Sequence, residues 1–263
     1  MIRINNLSFG YSDTPILAGL TLEINQGDTV AIIGCNGSGK STLIQCLAGL
    51  LPVKSGSISI LDKELRAWNR KDLARTVAYV PQLHGRALPF TVYDFVMLGR
   101  YPYQGLLAHA TADDKTAVEH ALLLTDSARF ADRAMNTLSG GELQRVLIAS
   151  AVAQQASVLL LDEPATFLDP PHQEAVQRLL EDIHRQFNAT IITVTHDINT
   201  ALNRYSKILA LKSAGHYIYE SCGAFFNSAQ QKLAEVFGIE FEEAITKSGW
   251  RLNVPQIIVD HKQ

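Results

Sequence analysis

Gly34-Cys35-Asn36-Gly37-Ser38-Gly39-Lys40-Ser41 gathers three glycines, an amine and a hydroxyl in one short loop, with Thr42 next. Glycines let a backbone pass close to a ligand and turn successive amides into one concavity, and a helix starting there adds its positive end. Phosphate is the guest such a loop suits. Lys40 is then placed to neutralise the outer phosphates of a nucleotide, and the Ser41 hydroxyl to ligate Mg²⁺. Asp162 and Glu163 close an apolar run, and His196 closes a β-branched one. Beside a phosphate loop two such acids divide the work, Asp162 around Mg²⁺ and Glu163 as a general base for water. Gln82 follows Val80-Pro81 at a strand's carboxyl edge, where it can touch Mg²⁺ or the attacking water. His196 at such an edge can reach a γ phosphate, whereas a histidine without that context is more often structural.

Positioning these groups requires strands that all end at one edge. Residues 29–33 read as a strand before the loop and 42–47 as a helix after it. Residues 158–161 are wholly apolar, the pattern of a central parallel strand buried on both faces, and 190–195 are β-branched. Residues 3–9 and 20–25 read as earlier strands, and 57–61 and 77–80 as later ones flanking a helix over 69–75. Tyr11 follows Phe9-Gly10 in a loop. Its ring can stack on a base, which reads only a π face and separates adenine from guanine poorly, or it can be a plain surface tyrosine.

From residue 84 the pattern turns helical, with helices over 92–99 and 112–125. Thr111 can cap the second, Asp113 and Asp114 suit its positive first turn, and Ala117, Val118, Ala121 and Leu122 form its apolar stripe. Phe90, Tyr93, Phe95, Tyr101 and Tyr103 read either as core or as a docking groove. Ser139-Gly140-Gly141-Glu142 opens a helix over 143–154 and makes a second anion-binding end. Pro170-Pro171 starts a helix whose apolar face is expected to comprise Ala175, Val176, Leu179, Leu180 and Ile183. Residues 207–211 and 216–220 read as a hairpin about 213–215; a helix over 229–237 and a strand over 256–259 follow, with no chemistry in this tail.

The 263 residues suffice for one large α/β domain with an embedded subdomain. With 47% hydrophobic residues, 19% charged and a net charge of -3, nothing points to nucleic acid as a partner. No signal-peptide core and no apolar run of about 20 residues is present, so the chain is expected in the cytoplasm. Cys35, Cys46 and Cys222 form no CxxC pair and read as reduced thiols. A bulky reagent on Cys35 blocks nucleotide unless that side chain points away from the loop.

In order and spacing, Tyr11, residues 34–41, Gln82, Leu138 to Glu142, Asp162-Glu163, Leu168-Asp169 and His196 resemble the ATP-binding cassette (ABC) ATPases over nearly the whole chain. The resemblance implies a P-loop NTPase with a RecA-like core, an antiparallel β subdomain and a helical subdomain inserted at about 84–150, the ATPase domain covering 1–222 and a tail 223–263. It implies ATP and Mg²⁺ as ligands, bound by Tyr11, residues 34–42, Ser41, Gln82 and Asp162, with Glu163 as base and His196 on the γ phosphate. It also implies a homodimer with two composite sites, where Ser139, Gly140, Gly141 and Glu142 act in trans and Leu168 and Asp169 lie in the interface. Ala165-Thr166-Phe167 departs from the family's usual Thr-Ser-Ala there. Residues 96–103 and His196-Asp197-Ile198-Asn199 further resemble the ATPases of metal-chelate importers, which serve ferric siderophores, haem or vitamin B12. That implies two integral-membrane permease subunits docking near 84–105, an extracytoplasmic binding protein acting indirectly, and a peripheral place on the cytoplasmic side of the membrane. Zinc, manganese or molybdate importers, a heteromeric exporter and a soluble clamp remain the alternative readings.

Overall fold

The structure, a computed structural model, describes residues 1–12, 14–82, 89–105, 109–212, 215–247 and 249–256. The first half of the chain runs through β1 (Ile2–Phe9), β2 (Leu17–Ile24), β3 (Thr29–Gly34), α1 (Lys40–Leu47), β4 (Ser55–Ile60), β5 (Lys63–Glu64), α2 (Arg70–Thr76) and β6 (Val77–Val80). The helices α3 (Val92–Leu98), α4 (Ala112–Leu124) and α5 (Gly140–Ala153) follow, then β7 (Val158–Asp162), α6 (Pro170–Phe187), β8 (Thr190–Val194), α7 (Ile198–Arg204), β9 (Lys207–Leu211) and β10 (Tyr217–Ser221). A tail of α8 (Cys222–Phe226), α9 (Ala229–Phe237), β11 (Phe241–Ile245) and β12 (Arg251–Pro255) completes it.

Strand composition and order together place the site. The main sheet runs β10-β9-β3-β8-β7-β6, parallel throughout except for β10. The strands β7 and β8 are buried at every residue, as apolar and β-branched runs between two packed layers must be. Register sets Ile32 beside Val194, Val194 beside Asp162, and Leu161 beside Val80. The segments that follow β3, β8, β7 and β6 therefore emerge at one edge, where open α/β sheets bind ligands.

Alternation divides the sheet's two faces. Val30 and Ile32 join Leu43, Ile44 and Leu47 of α1 and the antiparallel β2-β1-β4-β5 sheet in one core. Ala31 and Ile33 face the tail, where Phe225, Leu233, Val236 and Phe241 are buried against them. Each such side chain contributes roughly 1.5–3 kcal/mol when fully buried, so the tail is part of the domain's core. It is also more than the helix and strand expected, since it holds α8 and the β11–β12 hairpin. Of the strand expected over 256–259 only Gln256 lies within the described residues, and it is not in a strand.

The expected helical subdomain is present. α3, α4 and α5 enclose Val92, Val96, Val118, Ala121, Leu122 and Val146. The aromatic run before α4 divides: Tyr93 and Phe95 pack on this core, while Phe90 and Tyr101 are exposed. Residues 84–88 of the expected docking region, like the hairpin turn at 213–214, lie outside the described residues. On α6 the expected face needs one correction. Ala175 is exposed, and Gln177 is buried instead because its Oε1 accepts the hydroxyl of buried Tyr205 at 3.3 Å.

Candidate active site

The phosphate loop leaves β3 at Gly34, whose φ is 145°. A Cβ there would lie 2.1 Å from the Leu211 carbonyl oxygen, so the end of β9 passes too close for any other residue. Lys40 opens α1 and is almost fully buried. Its Nζ donates to the Gly34 and Cys35 carbonyls at 2.9 and 3.0 Å. Burial lowers the Lys40 pKa, while Glu163, Cys35 and Asp162 oppose the shift. Beside it is a hollow of about 380 Å³ lined by Tyr11, Asn36, Gly37, Ser41, Thr42 and Glu163, among others. Tyr11 is 65% exposed, its ring held edge-on against Phe9 with centroids 5.2 Å apart, and so it stands free for stacking at the mouth.

Ser41 Oγ donates to Asp162 Oδ1 at 3.0 Å. Burial pushes the Asp162 carboxyl up, partly offset by the Ser41 bond. A hydroxyl and a carboxylate side by side are hard oxygen donors of the kind that fit Mg²⁺. Glu163 sits at φ 52°, a left-handed conformation that costs a glutamate on the order of 1–3 kcal/mol. Three neighbours hold its carboxylate there: Gln82 Nε2 at 2.8 Å, Thr166 Oγ1 at 3.0 Å and His196 Nε2 at 2.6 Å. The ends of β6, β7 and β8 thus deliver Gln82, Glu163 and His196 to one carboxylate. Gln82 meets Glu163, while Ser41 and Asp162 meet each other. Thr166 was not among the expected site residues, and neither was Tyr79, which with Ser41 opposes the upward push on the Asp162 carboxyl. Thr166 was readable from its place three residues after Glu163. Tyr79 becomes visible only once β6 is known to lie beside β7.

Ser139 caps α5 in a reciprocal pair. Its N–H donates to Glu142 Oε2 at 2.8 Å and its Oγ accepts from the Glu142 N–H at 3.4 Å, and the bond to the Ser139 N–H holds the Glu142 carboxyl below its usual range. Ser139 and Gly140 are exposed, while Gly141 lies so near His172 that an added Cβ would be 2.3 Å from its ring. His172 is paired in turn with Asp169, which caps α6, so residues 139–142 and 168–169 adjoin within one chain. None of 139–142 lines the phosphate-loop hollow. Phe167 is 86% exposed at φ 67°.

Cys35 is exposed, and its Sγ faces the Val236 carbonyl of α9 at 3.7 Å rather than the phosphate hollow. Cys46 and Cys222 are buried, and burial pushes both thiols up to about 11. A maleimide at neutral pH is therefore expected to label the native chain once, at Cys35. Peptide mapping checks this, and a label on Cys46 or Cys222 of the native chain would contradict the packing.

A phosphate loop, an acid pair and a histidine on one parallel-sheet edge, with a capped Ser-Gly-Gly helix start on an inserted helical subdomain, define a P-loop ATPase of the cassette type. The chain belongs to the ABC transporter family, which matches residues 17–166. It is an ATPase of that family. It is similar to the petrobactin import ATP-binding protein FpuC of Bacillus anthracis, 38% identical over 212 residues, 81% of this chain and 78% of the relative. Among solved structures it resembles an inward-facing ABC transporter described as of the metal-chelate type (27% identity, TM-score 0.85, covering 98% of both chains). It also resembles a dimeric ATP-binding cassette carrying ADP and Pi after hydrolysis (27% identity, TM-score 0.72, covering 84% of this chain and 99% of the other).

Proposed function

We propose that this chain is the ATP-hydrolysing subunit of a metal-chelate importer and works as a homodimer beneath two permease subunits. The observation that carries the chemistry is the convergence of Gln82, Thr166 and His196 on the Glu163 carboxylate beside Lys40. Water is the nucleophile. Glu163 accepts its proton as the water oxygen bonds to the γ phosphorus and the bond to the bridging oxygen breaks, releasing ADP; Gln82 orients the carboxylate and the water, and His196, held by Glu163, contacts the γ phosphate. Lys40 and the loop amides stabilise charge on the phosphoryl oxygens. Ser41 and Asp162 would hold Mg²⁺, which supplies further neutralisation of the phosphates.

Residues 139–142 of the partner would complete each site, with Leu168 and Asp169 in the interface; this explains why that capped helix start is exposed and outside its own chain's hollow. No helix among the described residues is long and apolar enough to cross a membrane. Attachment would therefore run through permeases docking near 84–105, on the cytoplasmic side. A ferric siderophore or related chelate is the cargo class supported by the relative named for petrobactin import and the metal-chelate type neighbour.

The test is to trap the tagged Glu163→Gln chain on membranes with MgATP and identify what co-purifies. A polytopic permease and an extracytoplasmic protein that binds a ferric chelate are expected. Recovery of soluble partners alone would turn the reading toward a clamp, and a permease whose binding protein takes bare zinc or molybdate would correct the cargo.

A further inference from the structure

The tail carries no catalytic motif, yet it grips two segments of the site. α7 begins two residues after His196, with Asp197 capping it through the Thr200 N–H at 2.9 Å. On its other side α7 is held by the tail hairpin. Asn199 Oδ1 accepts the Asn253 N–H at 2.7 Å, and Asn199 Nδ2 donates to the Asn253 carbonyl at 3.5 Å. One side-chain amide therefore meets both backbone groups of a β12 residue, as a neighbouring strand would. Asn203 Nδ2 donates to the Arg251 carbonyl at 2.9 Å and to the Asn199 carbonyl at 2.8 Å. The Arg204 guanidinium lies 5.2 Å from the centre of the Trp250 ring. Val236 of α9, in the same tail, meets Cys35 of the phosphate loop.

A helix of seven residues does not hold its orientation by its own hydrogen bonds; its packing partners do that. Ala201 and Leu202 fix one side of α7 in the core, and Asn199 and Asn203 fix the other to β12. The direction in which the segment between β8 and α7 presents His196 to Glu163 is thus set jointly by the sheet and, through α7, by the tail. We infer that the C-terminal hairpin is a positioning element for hydrolysis, acting through Asn199 on His196. This rests on the reading of His196 as a catalytic group. A misplacement of about 1 Å can cost up to about 10² in rate, so a loosened α7 is expected to lower kcat while nucleotide binding at the phosphate loop is left intact.

Four full-length proteins test it: the unaltered chain, His196→Ala, Asn199→Ala and the double substitution, each assayed for steady-state and single-turnover hydrolysis against ATP concentration. His196→Ala is expected to lower kcat by about 10², the scale of a lost transition-state contact. Asn199→Ala is expected to lower kcat about tenfold with KM within about twofold, and the double variant to be no slower than His196→Ala, because the two act through one contact. Wild-type turnover in His196→Ala would remove the underlying reading. An inactive His196→Ala beside a fully active Asn199→Ala would overturn the positioning role alone, as would losses that multiply in the double variant. Hydrogen exchange on the unaltered chain serves if Asn199→Ala does not fold. A non-hydrolysable ATP analogue with Mg²⁺ is expected to protect Asn253 and residues 198–204 together, and an unchanged Asn253 would count against the inference.

Discussion

Glu163→Gln is expected to bind MgATP normally, lose turnover by about 10² or more, and accumulate as an ATP-dependent dimer. The size follows from what the substitution leaves alone. Glutamine has the same shape and can keep the Thr166 and Gln82 contacts, the strained φ at 163 and the Ser41–Asp162 pair, but it cannot take a proton from water. Binding should therefore survive while the chemical step fails. Failure of that step should hold both nucleotides, and with them the dimer. Radiolabelled ATP in single turnover reports the rate, and light scattering with and without MgATP reports the mass. Near-normal hydrolysis would remove Glu163 from the role of base, and a monomer in saturating MgATP would remove the composite-site reading.

Asp114→Ala should cost about 3–5 kcal/mol of stability, because it leaves a buried cation unpaired. Arg100 and Asp114 have side chains only 5% and 4% exposed, with Arg100 Nε 3.0 Å from Asp114 Oδ1. Arg100 also donates to the Ala153 carbonyl at 2.7 Å and to Gln155 at 2.9 Å, and lies 3.8 Å from the centre of the Tyr103 ring. The pair thus ties the end of α3 to the start of α4 and the end of α5. Loss of the α4 capping box, in which Asp114 accepts from the Thr111 N–H and hydroxyl at 3.0 and 2.9 Å, adds about 1 kcal/mol. Against a total stability of about 5–15 kcal/mol this is severe. Replacing both partners by Met and Leu should be far milder than Asp114→Ala, since no charge is then left buried.

The pH dependence has a definite sign. Burial pushes the Asp114 carboxyl up, but bonds from Thr111 and Arg100 outweigh it and hold the group below its usual value. Its contribution is therefore complete above the ordinary carboxylate pKa of about 4 and is lost as pH falls through the lower folded value. Urea unfolding from neutral pH to about pH 3 should show the wild type losing stability that Asp114→Ala no longer has to lose. A neutral-pH loss under about 1 kcal/mol would show that the pair is not paid for as the burial implies.

How much of this was legible beforehand can be traced residue by residue. The phosphate loop, Asp162-Glu163, the Ser139 cap and the strands delivering them follow from local rules. A parallel strand buried on both faces has to be wholly apolar, a helix start has to have its amides capped, and a backbone approaching phosphate needs glycine. The stripe on α4 was legible for the same reason, as a period-3.6 pattern. Ala175 was misplaced because a buried hydrogen bond from Tyr205 to Gln177 outweighs the propensity of one methyl group to be inside. The tail read as inert because its role rests on contacts more than fifty residues apart in sequence, such as Asn199 with Asn253.

The sequence by itself determined which groups this protein has available, since residue types and short spacings are local properties: an amine and amides of the kind that suit phosphate, a carboxylate of the kind that can activate water, and a hydroxyl and an acid of the kind a hard cation takes. Only the tertiary structure decided which of them meet. Strand order set Gln82 and His196 on opposite sides of Glu163, packing left Tyr11 and Ser139 exposed and buried the Arg100–Asp114 pair, and the tail closed on α7. Those outcomes depend on cooperative burial of side chains distant along the chain, and such burial has no period or spacing to read.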